Sequence, residues 1–170
     1  VACDLLITES TFGLPIYKWP NQETVISEIH DWWAKNQSMG KVSILPCYPL
    51  GKTQRIISAL NPEQGPIALT GAGRAFLPFY RAAGVELPEV LDLTEESLSE
   101  LRGRGFLLGS FAGKPPPLID QLGSLSHGAV SGWFQVRKMR NSQNCDRAFV
   151  LSDHSDWDGI MTCIRKSGAT

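Results

Sequence analysis

Short apolar runs alternate along the chain with longer stretches in which apolar residues recur at helical spacing. A polar or glycine-containing turn separates each run from the stretch that follows it. This alternation predicts an α/β fold with a Rossmann-like, mostly parallel sheet that carries helices on both faces. Strands are predicted over residues 5–8, 42–48, 67–69, 106–108, 130–136 and 148–151, and helices over 21–36 and 94–101 and from about residues 51, 71 and 155 onward.

The clearest helical pattern follows Asn21, a residue type well suited to cap a helix amino terminus. The spacing predicts a core role for its two tryptophans rather than a base-stacking role, and a structural role for the neighbouring His30. The apolar stripe consists of Val25, Ile26, Ile29, Trp32 and Trp33.

Composition narrows the function classes. The 170 residues fit one domain, or one domain with pieces of another, and the formal charge of −1 argues against a globally basic nucleic-acid binder. The four cysteines are far apart without a C-x-x-C pair, which predicts buried thiols in a reducing cytoplasm rather than a disulfide framework or a zinc knuckle. No apolar run approaches the ~20 residues that span a bilayer. Both ends lie close to predicted core elements, so we expect a fragment from the middle of a longer polypeptide.

The first candidate catalytic residue, His154, lies in the segment from Arg147 to Gly159, where a strand-like run ends and a helical pattern begins near Ser155. Ser155 and Asp158 form a weak capping box. His154 is therefore predicted at the carboxyl end of a strand, which is where ligand-binding and catalytic residues lie in open α/β sheets. The positive amino terminus of the following helix favours a neutral imidazole, whereas the neighbouring aspartates favour the protonated form. Because the reference pKa of histidine is about 6.5, a residue under these two opposing influences could exchange a proton near neutral pH. The alternative is an ordinary turn histidine bonded to a nearby Asp.

A second candidate is Glu9, which directly follows the predicted strand 5–8 and precedes a Ser, Thr, Gly and Pro loop. A carboxylate that leaves a strand in this way is either catalytic or a capping and pairing residue.

Two glycine motifs suggest phosphate or nucleotide binding. Gly51-Lys52-Thr53 lacks the first glycine of a phosphate loop, since that position is Pro46, but Lys52 beside a helix start could still contact a phosphate. Gly71 to Phe76 follows a strand and precedes Asp92 at the distance of a dinucleotide fingerprint. Phe76 occupies the third glycine position, so the alternative is a tight strand-to-helix turn.

The densest basic segment contains Arg137, Lys138 and Arg140 and leads toward His154. Two interpretations are open: a solvated edge, or a patch that holds a nucleic-acid backbone through salt-sensitive phosphate contacts.

Two separated segments resemble motifs of one enzyme family. Residues 4–13, DLLITESTFG, are similar to the acidic motif A of metallo-β-lactamase-fold nucleases with a β-CASP region, and residues 151–156, LSDHSD, to their histidine motif B. Residues 50–54 and 131–137 also resemble this family. The nearest branch is the bacterial DNA-ligase-associated exonucleases, relatives of the nucleases that process RNA 3′ ends.

The resemblance implies a bilobed enzyme in which a β-CASP lobe is inserted into a two-zinc αββα lobe. Residues 1–19 and 147–170 would be pieces of the metallo-β-lactamase lobe, and residues 20–146 the inserted domain. His154 would be the general acid that protonates the leaving oxygen, and Glu9 the carboxylate that orients it.

The family's zinc-binding H-x-H-x-D-H motif is missing from this chain. The expectation is therefore a fragment of a zinc-dependent DNA nuclease acting in repair, inactive alone, with its zinc ligands outside the chain and a DNA ligase or helicase as partner. RNA 3′-end processing is the nearest alternative. A nucleotide-binding module using Gly71 to Phe76 and a non-catalytic interaction domain are the others.

Overall fold

The computed structural model describes residues 2–110 and 116–169. Five strands alternate with six α-helices and three 3₁₀ helices along this part of the chain. The strands are β1 (Val42–Pro46), β2 (Ile67–Thr70), β3 (Phe106–Gly109), β4 (Leu125–Val130) and β5 (Arg147–Phe149). The helices are α1 (Gln22–Ser38), α2 (Lys52–Ile57), α3 (Leu77–Ala82), α4 (Leu98–Leu101), α5 (Arg137–Asn141) and α6 (Trp157–Ser167), with 3₁₀ helices at Gly71–Phe76, Pro117–Leu122 and Gly132–Gln135.

The five strands form one parallel sheet in the order β2-β3-β1-β4-β5. The α/β fold predicted from the sequence is therefore confirmed. Because every described strand runs in the same direction, the segments that leave their carboxyl ends lie along a single edge of the sheet.

Alternate side chains of the strands point into two separate cores. Leu45, Phe106 and Leu108 pack with α1 and α2 on one face, whereas Ile44 and Leu107 pack on the other face with α4 and the 3₁₀ helix Pro117–Leu122. These strand side chains are at most 2% exposed. Burial on both faces explains why the strands read as continuous apolar runs rather than as alternating patterns.

Helix α1 begins where its cap predicts, because the Asn21 side chain accepts a hydrogen bond from the backbone N–H of Glu23 at 2.9 Å. Its predicted stripe is buried, and the indole N–H of Trp33 donates to the carbonyl oxygen of Arg104 at 2.8 Å. The core role predicted for the α1 tryptophans is confirmed. None of the described helices is long and apolar enough to cross a bilayer.

The prediction of a buried strand over residues 5–8 is wrong. This segment has no strand partner among the described residues, and Leu5 and Ile7 are 73% and 87% exposed. A short apolar run forms a strand only where a neighbouring strand completes its backbone hydrogen bonds. Just before this segment, the N–H of Cys3 donates to the carbonyl oxygen of Ser167 at the end of α6, at 2.8 Å.

The predicted strand over 130–136 is also wrong beyond its first residue. Strand β4 ends at Val130, and the chain turns into the 3₁₀ helix Gly132–Gln135. The Ser131 hydroxyl accepts a hydrogen bond from the N–H of Trp133 at 3.2 Å and so caps this turn. Local side-chain capping competes with strand formation at serine, which the apolar pattern alone does not reveal.

Strand β5 pairs only with β4 among the described strands, so residues 147–149 belong to the same sheet as β1. The division into residues 1–19, 20–146 and 147–170 stays a prediction.

The prediction that the four cysteines are buried is correct only for Cys47. Cys3 and Cys145 are partly exposed, and Cys163 is exposed on α6. Wide spacing in the sequence indicates that cysteines do not form a local pair, but it does not determine how deeply each one is buried.

Candidate active site at the carboxyl edge of the sheet

His154 lies at the carboxyl edge of the sheet, in the short turn between strand β5 and helix α6. The Ser152 hydroxyl accepts a hydrogen bond from the backbone N–H of His154 at 3.1 Å. Helix α6 begins at Trp157, and the Asp156 carboxylate caps it by accepting from the N–H of Gly159 at 2.9 Å. The predicted cap by Ser155 is therefore wrong, because the capping side chain is Asp156, one residue later.

His154 and Glu9, which are far apart in sequence, meet at this turn. The ring Nδ1 of His154 lies 3.3 Å from Oε2 of Glu9. Both side chains are about half exposed, at 46% and 43%. The carboxylate can accept the Nδ1 hydrogen, which fixes the tautomer and leaves Nε2 as the nitrogen for proton exchange with a ligand.

Glu9 is held as a carboxylate by its own loop. The backbone N–H of Thr11 donates to Oε2 at 2.8 Å. This hydrogen bond is the main cause that holds the pKa of Glu9 below its ordinary value; slight burial opposes it, and the Thr11 hydroxyl and His154 act in the same direction as the backbone bond. Glu9 is therefore ionised at neutral pH, when it can orient and stabilise a protonated imidazole.

The Glu9 loop is tied to the His154 turn by three further backbone contacts. The indole N–H of Trp19 donates to the carbonyl oxygen of His154 at 3.0 Å. The backbone N–H of Trp19 donates to Asp156 at 3.0 Å, and the N–H of Trp157 donates to the carbonyl oxygen of Tyr17 at 2.9 Å. Residues 9–19 and 152–157 therefore form one hydrogen-bonded unit, which fixes Glu9 relative to His154.

An aromatic cluster lies beneath the two residues. The buried ring of Phe12 contacts Trp133 at 4.8 Å and His154 at 6.0 Å between ring centroids. Tyr17 and Trp19 pack edge-on against the same ring, at 5.0 and 4.7 Å. Sequence periodicity could not identify this cluster, because residues 12, 17 and 19 follow neither the helical nor the strand period.

The acidic residues near His154 each have another partner. Asp153 lies 3.3 Å from the ammonium group of Lys52, Asp158 lies 3.0 Å from that of Lys18, and Asp156 caps α6. Among the described residues no Asp carboxylate is bonded to the His154 ring, so the Asp partner of the alternative interpretation is not found, while the catalytic role of His154 stays a prediction. The carboxylate that reaches the imidazole is Glu9.

Lys52, a predicted phosphate contact, lies at the start of α2, and its side chain is only 14% exposed beside Asp153. The same helix contacts the His154 turn again, because the Arg55 guanidinium donates to the carbonyl oxygen of Ser152. Helix α2 therefore supports the turn, and nucleic-acid binding by Lys52 stays a prediction.

The predicted basic patch lies on α5, directly after Trp133. Arg137, Lys138 and Arg140 are all exposed there, and the Arg140 Nε donates to the carbonyl oxygen of Phe134 at 3.1 Å. Arg147 instead pairs with Glu28 at 2.9 Å. Arg137 and Lys138 are thus accessible to a polyanion, while their binding role stays a prediction.

The motif from Gly71 to Phe76 forms a tight turn with structural partners of its own. A side chain at Gly73 would approach Thr53 at 3.2 Å and the carbonyl oxygen of Pro49 at 3.3 Å. Asp92, the acid that a dinucleotide fingerprint would use for a ribose, lies 2.8 Å from Nε of Arg74. Packing and this ion pair explain the residues without a nucleotide.

The remaining histidines have separate surroundings. The backbone N–H of Asn61 donates to Nε2 of His30 at 3.3 Å, and partial burial lowers the pKa of His30. His127 is exposed on β4. Among residues 2–110 and 116–169, no three His, Cys, Asp or Glu side chains converge as metal ligands. The described residues therefore do not fit a zinc site of their own.

Comparison with known proteins shows a similarity to a protein named for DNA metabolism. The chain is 25% identical over 161 residues to a protein named "Probable DNA ligase" from Opitutus terrae. The match covers 95% of this chain and 15% of that protein, so the chain spans a small part of the relative's length. No protein-family model matches the sequence.

Proposed function

We propose that this chain is part of a longer, metal-dependent nuclease that hydrolyses phosphodiester bonds in DNA, with His154 as general acid and Glu9 as the residue that orients it. The observation that carries the proposal is the 3.3 Å approach of Oε2 of Glu9 to Nδ1 of His154. A histidine held through one ring nitrogen by a carboxylate, with the ring half exposed, is the arrangement that general acid catalysis needs.

The chemical step assigned to this pair is one proton transfer. As the P–O bond breaks, Nε2 of protonated His154 donates its hydrogen to the leaving oxygen, and the imidazole becomes neutral. The Glu9 carboxylate stabilises the protonated form before transfer and keeps Nδ1 as the anchored nitrogen. General acid catalysis of this kind accelerates a reaction roughly 10²–10⁴-fold.

The choice of DNA over RNA is supported by the name of the Opitutus terrae relative, which refers to DNA ligase. An enzyme that trims DNA ends would act on the same class of substrate as a ligase in repair. We therefore propose DNA as substrate, a DNA ligase or helicase as partner and a cytoplasmic location, with RNA 3′-end processing as the alternative.

We further propose that the zinc ligands belong to parts of the longer protein outside this chain. The described residues offer no cluster that could hold a metal, and the chain alone is expected to lack activity. The reading frame around the chain and metal analysis of its full product test this point directly.

The decisive experiment compares His154→Ala with the unchanged full-length protein. Turnover of single-stranded and duplex DNA should fall by about 10²–10⁴-fold, since the general acid is lost, while metal content is retained. His127→Ala, an exposed histidine on β4, is the matched control and should leave turnover unchanged. Normal turnover in His154→Ala would end the general-acid assignment.

A further inference from the structure

Trp133 presents an accessible indole at the same edge of the sheet as His154. The residue is 43% exposed, although its ring packs against two buried aromatic residues. The centroid distances are 4.8 Å to Phe12 and 5.5 Å to Tyr17, with the Tyr17 ring perpendicular at 89°. One part of the indole is therefore fixed by the aromatic cluster, while the rest remains available to a ligand.

The backbone around Trp133 is also fixed. Its N–H donates to the Ser131 hydroxyl at 3.2 Å, and its carbonyl oxygen accepts from the N–H of Val136 at 3.1 Å. Gly132 is buried, and a side chain there would come within 2.7 Å of both Phe12 and Trp19. A ring held this firmly loses little conformational entropy when it binds a ligand, which favours affinity.

The position of Trp133 relative to His154 is set by one shared neighbour. Phe12 contacts Trp133 on one side and His154 on another, at 6.0 Å between the Phe12 and His154 centroids. The Trp133 and His154 rings therefore pack against the same phenyl ring, which holds the indole beside the Glu9–His154 pair.

The charge that follows Trp133 indicates what the ligand is. Residues 131–143 contain Arg137, Lys138 and Arg140 but neither Asp nor Glu, in a chain whose formal charge is −1. Arg137 and Lys138 are exposed on α5, directly after the 3₁₀ helix that carries the indole. An accessible aromatic ring next to a basic, acid-free segment is the combination with which proteins bind single-stranded nucleic acid. An apolar protein partner would gain nothing from these cations.

We propose that Trp133 stacks on an unpaired base of a DNA strand and so positions the scissile phosphodiester for His154. This inference rests on the nuclease function proposed above and adds the substrate form, a single strand or a frayed end. Trp133 is a positioning residue in this scheme: it contacts the substrate base but not the reacting atoms.

The test measures binding of the chain to a short fluorescein-labelled oligodeoxythymidylate at low salt by anisotropy. Trp133→Ala should weaken binding by roughly 5- to 150-fold, the range measured for loss of one base–aromatic stack. Trp133→Phe should retain most of the affinity, because a ring remains. Phe79→Ala is the matched control, since Phe79 is 72% exposed on α3, and it should bind like the unchanged chain.

A second arm separates stacking from a general structural effect. A series of oligomers, each with a single abasic position, should contain one position whose loss weakens binding to the unchanged chain. The same loss should have no effect on Trp133→Ala, because the stacking partner is already missing. A misfolded variant would show no such position-specific coupling. Equal affinity of Trp133→Ala and the unchanged chain, no sensitive abasic position, or no binding by the unchanged chain would each overturn the inference.

Kinetics in the full-length protein distinguish this inference from the proposed function. Trp133→Ala should raise KM for single-stranded DNA by a similar factor, with a smaller fall in kcat from the lost positioning, whereas His154→Ala should lower kcat strongly and leave binding intact. An unchanged KM in Trp133→Ala with a low kcat in His154→Ala removes the stacking role and keeps the nuclease. An unaffected His154→Ala removes the general acid instead.

Discussion

The indole N–H of Trp19 donates a hydrogen bond to the backbone carbonyl oxygen of His154 at 3.0 Å. This contact joins the loop that carries Glu9 to the turn that carries the imidazole. It fixes the backbone of His154, while Glu9 on the same loop fixes the ring at Nδ1. The geometry of the candidate active site therefore depends on a residue that itself has no acid–base chemistry.

Trp19→Phe should destabilise the chain by at least about 1 kcal/mol, the usual net value of one hydrogen bond, because it removes the indole N–H donor together with part of a ring that packs against Phe12. Urea unfolding followed by circular dichroism measures this change. Trp133→Phe is the control, since hydrogen bonds at Trp133 involve its backbone. Equal stability of the two variants would show that the Trp19 contact is unimportant.

The Glu9 carboxylate should make stability depend on pH in one direction. Its pKa in the folded chain lies below the ordinary value of 4.5, so its stabilising effect is complete above that value and is lost as the pH falls through the lowered pKa. Glu9→Gln should therefore be less stable than the unchanged chain at neutral pH, by under about 1 kcal/mol for so exposed a group. The two curves should converge as the pH falls through the lowered pKa of Glu9. A difference that grows on acidification would contradict this account.

Gly132→Ala should be the more damaging of two glycine substitutions near the site. Its new methyl group would lie 2.7 Å from Phe12 and Trp19 and 3.0 Å from Ser152, inside a packed cluster. The expected cost is about 1–3 kcal/mol, as for other overpacked sites. Gly159→Ala, whose nearest neighbour would be Asp156 at 3.3 Å, is the control and gains helix propensity. Thermal unfolding of both variants provides the comparison.

The two partners of the Lys52–Asp153 ion pair should respond differently to removal. The Lys52 side chain is 14% exposed and that of Asp153 is 28% exposed, so Asp153→Ala leaves a largely buried ammonium group without its carboxylate. We expect a loss of about 1–3 kcal/mol for Asp153→Ala. Lys52→Met keeps the apolar stem and leaves the better-solvated partner, so it should cost less. The reverse order in chemical denaturation would refute this explanation.

The sheet and its helices could be predicted from sequence because their signals are local and repeated. The α1 stripe, its Asn21 cap and the doubly buried strands β1, β2 and β3 each follow from residue types within a few positions. The segment over 5–8 shows the limit of that reasoning. Its composition suits a strand, but strand formation needs a neighbour, and none of the described strands pairs with it.

The Glu9–His154 pair could be predicted from the sequence only because two motifs resemble those of one family. Local patterns placed three aspartates nearer to His154 in the chain, and each of them binds elsewhere in the fold. The role of Phe12 as the common neighbour of Trp133 and His154 was not predictable, because contacts between distant loops leave no periodic trace.

The exposed segment that contains Leu5 and Ile7 has a practical consequence for handling this protein in solution. An exposed apolar segment without a neighbouring strand can pair with the same segment of another molecule, which leads to oligomers and, at high concentration, to fibrillar aggregates. Ile7→Lys would oppose that association by adding a charge, and because Ile7 is 87% exposed the change should leave folding unaffected. Light scattering of this variant and the unchanged chain at increasing concentration would measure how much of the self-association depends on this segment.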